Sequence, residues 1–459
     1  MENFWDFNVW GFLNLVAVLL ISLLFATVLR RSSPWLRRTL IPTPVLGGLL
    51  LVLADWVCRM ISGKVLFDTA FFGGNGTANL EAITYHCLAL GFIASAFRPS
   101  RGKLTRKRTE EIFNTGVTTV ATYLLQGVFG LVITLAAAGI VENFPAGAGA
   151  VLPFGYGQGT GQAMNYGGIL ENEYGFAGGK SFGLTIAALG FISASIGGIL
   201  HLNILRKQGK ISSDAWDRLS GTGEVQTAPV DRMNESIDKL TIQIALIFGA
   251  YFLAYGLMML LGTLLPGMKS VIYGFNFLFG VLTATGLKVM MNRPNRKGTS
   301  HGEYLDNALM TRAGNFFFDM MITAGIAAIR FRMLERFWGV ALILGAAGLV
   351  ITFVYNRFVA RKLFPEYPEE QFLSMFGMLT GTASTGIILL REIDSDFRTP
   401  AAENLVYQNF PAIALGFPML LLTAVAPEKP VLIIIILIIY FAVMNVILFR
   451  KRLFKRRKK

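Results

Sequence analysis

Leu152-Pro153-Phe154-Gly155-Tyr156-Gly157-Gln158-Gly159-Thr160-Gly161-Gln162-Ala163-Met164-Asn165 in the first half of the chain, and Gly377-Met378-Leu379-Thr380-Gly381-Thr382-Ala383-Ser384-Thr385-Gly386 in the second, decide the fold. Both lie in apolar surroundings, yet both are too rich in Gly, Ser and Thr for an ordinary membrane span. Each glycine weakens a helix by about 1 kcal/mol relative to alanine, so both stretches are expected to break inside the membrane. Broken backbone at that depth survives only when buried in protein or lining a watery cavity. Each stretch therefore reads as a re-entrant hairpin, about 146–169 and about 371–390. The first dips from outside and the second from inside, with the tips meeting near the midplane. Small residues can instead serve only tight helix packing; two such stretches at equivalent places favour the hairpins.

The rest of the composition agrees with a membrane setting. Of 459 residues, 53% are hydrophobic and 15% charged, against about 25% charged in a soluble domain. Runs of about 18 or more apolar residues can cross a bilayer core. Eleven are read here: 9–29, 43–61, 82–97, 113–140, 181–204, 240–264, 270–291, 313–329, 337–358, 404–425 and 430–449. The first follows Glu2 and Asp6, not a basic segment, so a permanent helix is expected there and not a signal peptide. Cys58 and Cys87 both sit in apolar runs and read as small core residues. The net charge of +14 is concentrated: eight basic residues form Arg450–Lys459 directly after the last run. That pattern suits a cytoplasmic anchor on anionic lipid and excludes a nucleic-acid arm.

Lys and Arg mark cytoplasmic loops. With the N-terminus outside, 34 of the 42 basic residues fall inside and 8 outside. The cytoplasmic set includes Arg30, Arg31, Arg37 and Arg38, the cluster Arg98–Arg108, and Arg293, Arg296 and Lys297. Arg330, Arg332 and Arg336 are the exceptions. Helices one to five (1–204) lead to a polar linker (205–239) with Gly221, Gly223 and Pro229. Helices six to ten (240–425) follow, and then an extra helix and basic tail (426–459). Each half holds five helices with its hairpin between the fourth and fifth, so an odd number of crossings inverts the second half. Leu90-Gly91-Phe92-Ile93-Ala94 is echoed 234 residues later by Ala324-Gly325-Ile326-Ala327-Ala328, and Gly159-Thr160-Gly161 is echoed 225 residues later by Ser384-Thr385-Gly386. Inverted repeats are typical of secondary transporters. The fold class expected is therefore an all-α polytopic membrane protein of two inverted five-helix repeats, each with a re-entrant hairpin, plus a C-terminal helix.

Hairpins of this kind carry chemistry. Half-helix N-termini present free N–H groups and a positive dipole end to a carboxylate. Unwound carbonyls and the hydroxyls of Thr160, Thr382, Ser384 and Thr385 are hard oxygen ligands for a small cation. Asp319 lies about 10 Å inside the apolar boundary of the eighth run. It can coordinate sodium, carry a proton, meet a substrate ammonium, or pair structurally with an arginine. His86, His201 and His301 have no acid chain beside them in sequence, and Glu171 and Glu173 read as a solvated loop. Gly155-Tyr156-Gly157 lacks the preceding Thr-Val of a potassium filter. Tyr174–Ser181 has Tyr where a phosphate loop needs its first Gly. With no catalytic triad, metal-ligand cluster or nucleotide loop, no enzyme and no cofactor beyond a coupling ion are expected.

Ile41-Pro42-Thr43-Pro44-Val45-Leu46-Gly47-Gly48-Leu49-Leu50, Gly157-Gln158-Gly159-Thr160-Gly161 with Tyr174-Gly175-Phe176, Gly314-Asn315, Gln126 and Gly381–Thr385 together resemble the sodium/glutamate symporter family over roughly 10–425. Family loops more often show Gly-Gly-His-Gly where this chain has Tyr156-Gly157-Gln158-Gly159, and often a Pro where the second loop here has hydroxyls. The resemblance implies sodium-driven uptake of L-glutamate, a homodimer in the cell membrane, and hairpins that move with substrate while a scaffold stays fixed. It also implies substrate binding at Gln158, Gly159, Thr160 and Gly161, and at Thr382, Ser384, Thr385 and the adjoining Gly386. Gly157, Thr160, Asp319 and Thr385 are the expected sodium ligands. A proton- or sodium-coupled carrier of another carboxylate is the alternative; a channel, and a scaffold or receptor, rank below it.

Overall fold

The computed structural model describes residues 3–98, 105–209, 238–292, 304–394 and 397–453. Glu2, Arg101 and Lys103 of the Arg98–Arg108 cluster, Gly221, Gly223, Pro229, Arg293, Arg296, Lys297, His301 and the tail beyond Leu453 lie outside them. The described chain is helical, and no strand occurs among the described residues. The long helices are α1 (Phe7–Ser32), α3 (Thr43–Ser62), α4 (Gly76–Phe97), α5 (Arg106–Ala138), α8 (Gly179–Lys207), α9 (Lys239–Leu264), α12 (Asn307–Ala327), α13 (Trp338–Leu363) and α18 (Pro430–Leu453). A short α2 (Pro34–Arg38) follows α1. The shorter pieces are α6 (Val151–Gly157) with α7 (Gly159–Tyr174), α10 (Lys269–Gly274) with α11 (Asn276–Met291), α14 (Pro368–Thr380) with α15 (Ala383–Arg391), and α16 (Ala401–Tyr407) with α17 (Asn409–Val425). This is an all-α polytopic membrane protein: among the described residues eight helices are long and apolar enough to cross a membrane, and two bent pairs raise the number to ten.

Sequence marks the helix starts. The Thr105 hydroxyl accepts from the Arg108 N–H at the head of α5. The Asp238 carboxylate accepts from the N–H groups of Leu240 and Thr241 at the head of α9. Asp306 does the same for Ala308 and Leu309 of α12. Each satisfies N–H groups that the first turn leaves without an intrahelical partner.

Three expected spans differ in the structure. The seventh run, read as continuous over 270–291, bends by 75° between Gly274 and Asn276. Two bonds pin the break to α4: the Tyr85 hydroxyl donates to the Tyr273 carbonyl at 2.7 Å, and Asn276 Nδ2 donates to the Tyr85 carbonyl at 3.1 Å. His86 belongs to the same knot, with Nδ1 2.8 Å from the Tyr251 hydroxyl. The tenth run bends by 47° at Gln408. The eighth lies in α12, a 21-residue helix outside the ten. Arg312, Asn315 and Asp319 lower its mean hydropathy.

Packing divides the chain into two units that cut across the sequence halves. The first takes the described residues of 1–21, 53–103 and 221–325, and so contains α4 from the first half and α9 to α12 from the second. Its core gathers Leu90, Ile93, Ala94 and Phe97 of α4 with Ile247, Ala250, Ala284, Met310 and Phe317. Gly91 is a glycine because the Phe318 ring occupies the space of a Cβ, 2.8 Å away. The second unit takes the described residues of 22–52, 104–220 and 326–459, and contains α5 to α8 from the first half and α13 to α18 from the second. There some of the closest approaches are backbone to backbone. A Cβ on Gly149 would overlap the Gly130 carbonyl, and one on Gly130 would overlap the Gly149 carbonyl. Small residues of this kind let membrane helices approach closely where no hydrophobic force drives them together.

Gly149→Ala is therefore expected to shift α5 away from the segment before α6, at a cost of about 3 kcal/mol, the upper end for over-packing. Thermal unfolding in detergent checks this. A Tm equal to that of the wild type would mean that the two backbones do not meet.

Candidate functional site

Both polar stretches break and fold as helical hairpins, and both belong to the second unit. In the first, α6 stops at Gly157 and α7 starts at Gly159, with Gln158 between them. Gly159 has φ +81°, a left-handed conformation that carries no Cβ penalty only in glycine. At Gly157 a Cβ would fall on the Tyr123 ring, and the Tyr123 hydroxyl donates to the Gly157 carbonyl at 2.9 Å. That bond caps the broken end of α6. Tyr156 is buried one residue earlier and its hydroxyl donates to the Gly345 carbonyl at 2.5 Å, with Ser193 Oγ at 2.8 Å. The second limb runs to Tyr174, five residues beyond the expected end at 169.

The second hairpin turns at Gly381–Thr382, between α14 and α15. Thr382 caps α15 in a capping box with Thr385, whose Oγ1 accepts from the Thr382 N–H at 3.4 Å. Gly386 lets the limbs touch: a Cβ added to it would overlap the Ser374 carbonyl, and one added to Gly377 would lie 2.7 Å from the Gly386 Cα. The two hairpins converge on the middle of α8. A Cβ on Gly190 would lie 2.6 Å from the Thr380 carbonyl and 3.4 Å from that of Gly155, and one on Gly381 would lie 3.0 Å from the Phe191 ring.

The expected site residues thus separate by what surrounds them. Gly157, Gly159, Thr160, Gly161, Thr385 and Gly386 are buried, Gln158 and Thr382 are half-buried, and Ser384 is exposed. All of them lie in the second unit. Asp319 lies in the first, half-buried, so the hairpin set and the acid are not in one packing unit. His201 does have an acid that its sequence neighbours did not reveal: Nε2 lies 2.7 Å from Glu369 Oε2, and Glu369 is also 3.7 Å from Arg361. Among the described residues no group of three or more His, Cys, Asp and Glu side chains is placed to hold a metal.

Three features were missed in sequence. Gln162, on the first turns of α7, is fully buried, and neither its Oε1 nor its Nε2 has a partner. It stood inside the first polar stretch but was passed over for its glycine and threonine neighbours. A polar row on α5, comprising Thr115, Thr118, Thr119, Thr122 and Gln126, is buried throughout. Gln126 Nε2 donates to Thr352 Oγ1 at 2.8 Å and to the Leu379 carbonyl at 3.0 Å. Asn356 on α13 donates to Thr122 Oγ1 at 3.3 Å and to the Thr352 carbonyl at 2.9 Å. The period of three to four along α5 was the available signal. Finally, Gln371 donates to Thr115 Oγ1 at 3.1 Å, and Asn404 donates to Gln371 Oε1 at 3.0 Å. These bonds tie the second hairpin's first limb to α5 and α16.

The exit of the second hairpin is fixed by Asp394. Its carboxylate accepts from the N–H groups of Arg398 and Thr399 at 2.8 and 2.9 Å and from the Thr399 hydroxyl at 2.6 Å. Burial pushes this acid up, but the Thr399 and Arg398 donors outweigh it and hold the carboxyl below its ordinary value.

No protein-family model matches the chain, and no curated protein matches it.

Two outcomes follow from this geometry. Gln162→Met keeps the side-chain volume and removes both unpartnered atoms, each of which costs about 1–3 kcal/mol when buried unpaired. A higher Tm is expected; a lower one would mean that the amide has partners within the protein. Asp394→Ala should lower Tm at neutral pH. Because the native carboxyl is held below its unfolded value of about 3.9, its contribution is complete above that value and is lost as pH falls through the native pKa. The Tm gap between wild type and variant is expected to close on acidification below about pH 4. A gap that stayed constant with pH would remove the carboxylate from the account.

Proposed function

We propose that the protein is a secondary active transporter, a sodium-coupled symporter of L-glutamate or a closely related amino-acid anion, working by alternating access in the cell membrane. The observation that carries the reading is the pair of broken hairpins, one from each sequence half, converging on the middle of α8 within a single packing unit. Two half-helix N-termini, those of α7 and α15, supply N–H groups and positive dipole ends. That arrangement suits a carboxylate that must be released again. The exposed Ser384 and half-buried Gln158 and Thr382 are the side chains at the turns open to a solute. The resemblance of the hairpin motifs to sodium/glutamate symporters names the solute and the ion. It also supports a homodimer with the hairpin-bearing unit carrying the solute, and the loop charges support an outside N-terminus and a cytoplasmic C-terminus.

The test is labelled L-glutamate uptake into proteoliposomes with and without an inward sodium gradient. Saturable uptake that requires sodium is expected, with Ser384→Ala raising KM about tenfold, the effect of one lost hydrogen bond to a charged group. Absence of uptake under both conditions, from protein shown to be folded, would sink the glutamate assignment.

A further inference from the structure

Gln126 and Asn356 each leave a buried oxygen unused. Gln126 is fully buried on α5 and Asn356 is 1% exposed on α13. Each turns its amide nitrogen toward a backbone carbonyl: Gln126 toward Leu379, Asn356 toward Thr352. Exchanging N and O in either amide would set two acceptors against each other, so the orientation is dictated by chemistry. Gln126 Oε1 and Asn356 Oδ1 are then left without a donor in the protein interior. Buried acceptors are costly to leave unpaired, and here two occur around one residue, Thr352. Its hydroxyl accepts from one amide and its carbonyl from the other.

The arrangement is duplicated in sequence. Thr122 and Gln126 lie four residues apart on α5, and Thr352 and Asn356 lie four apart on α13. Each pair of equivalents is separated by 230 residues, between the 225 and 234 of the two sequence echoes. The hydrogen bonds are reciprocal as well, since each amide reaches the threonine of the opposite helix. Leu379 adds a third element. It is in the last turn of α14, where carbonyls lack intrahelical donors and the helix dipole is negative. The two amide oxygens, the threonine oxygens and the helix C-terminus that these bonds connect are all hard oxygens, with no carboxylate among them. Such a set suits a monovalent cation: divalent ions are held through carboxylates, and soft metals take sulfur or imidazole.

We propose that the Gln126–Asn356 pair, with Thr122, Thr352 and the Leu379 carbonyl, is a sodium site separate from the ligands expected at the hairpin turns. The choice of sodium rests on the symporter reading. Occupancy couples to substrate through the chain itself. An ion beside Leu379 fixes the end of α14, and the Gly381–Thr382 turn and the N-terminus of α15 follow within four residues.

The experiment is thermal unfolding of the full chain in detergent, titrated with NaCl at constant ionic strength against choline chloride, and repeated with KCl. Wild type is expected to gain Tm saturably with sodium and not with potassium. Asn356→Leu and Gln126→Met, near in volume but without the oxygens, should shift the sodium midpoint at least tenfold upward. A midpoint within twofold of wild type in both variants, or a wild type whose Tm is indifferent to sodium, overturns the proposal. If those variants do not fold, Asn356→Asp is read instead. It keeps an oxygen and adds a charge, and should move the midpoint at least fivefold; an unchanged midpoint overturns the site equally. The readout does not depend on transport. Sodium stabilisation lost in the variants, without glutamate uptake, would leave the site standing and remove the glutamate reading. Sodium-driven uptake with unchanged midpoints would do the reverse.

Discussion

A peptide group that leaves a helix inside a membrane must find its hydrogen-bond partner in the protein, because lipid offers none. This chain breaks its helices at Gln158, Phe275, Gly381–Thr382 and Gln408, and much of its buried polarity is explained by those breaks. Tyr123 serves the carbonyl of Gly157, Tyr85 that of Tyr273, and Gln126 that of Leu379. At the last break, the Thr119 hydroxyl donates to Gln408 Oε1 at 2.9 Å. In the three carbonyl-serving cases the donor stands on an unbroken helix and the acceptor on a broken neighbour. The long helices are therefore polar on one side for the sake of the short ones.

The same constraint explains why the glycines fall into two groups. Gly159 is needed for its left-handed backbone, which allows the chain to reverse in a single residue. Gly157, Gly190, Gly377 and Gly386 are needed because another group occupies the space of a side chain. Tight limbs and a crowded convergence on α8 hold the hairpin ends in place. Two helix N-termini are then held with little freedom.

Sequence reading located the hairpins because its signal, a density of Gly, Ser and Thr too high for a span, is local. It located the limbs to within a few residues for the same reason. It passed over Gln162 and Asn356 because one polar residue in an apolar run carries no local mark of whether its amide will be paired. Pairing is settled by residues more than two hundred positions away, as with Gln126 and Thr352. The bend at Phe275 escaped because an apolar run reads the same whether straight or bent, and the groups that relieve it, Tyr85 and Asn276, sit on separate helices.

The sequence by itself determined that the chain is an all-α membrane protein, where its helices start, and where two of them must fail, since length, apolarity, caps and glycine density act within a few turns. Only the tertiary structure decided how the pieces group. Both hairpins, taken from opposite halves, share one unit, while Asp319 lies in the other. It also decided which buried side-chain atoms stay unused, among them Gln126 Oε1 and Asn356 Oδ1. The physical reason is that hydrogen-bond satisfaction in a low-dielectric interior is a property of the whole packed unit. No segment of sequence contains both sides of it.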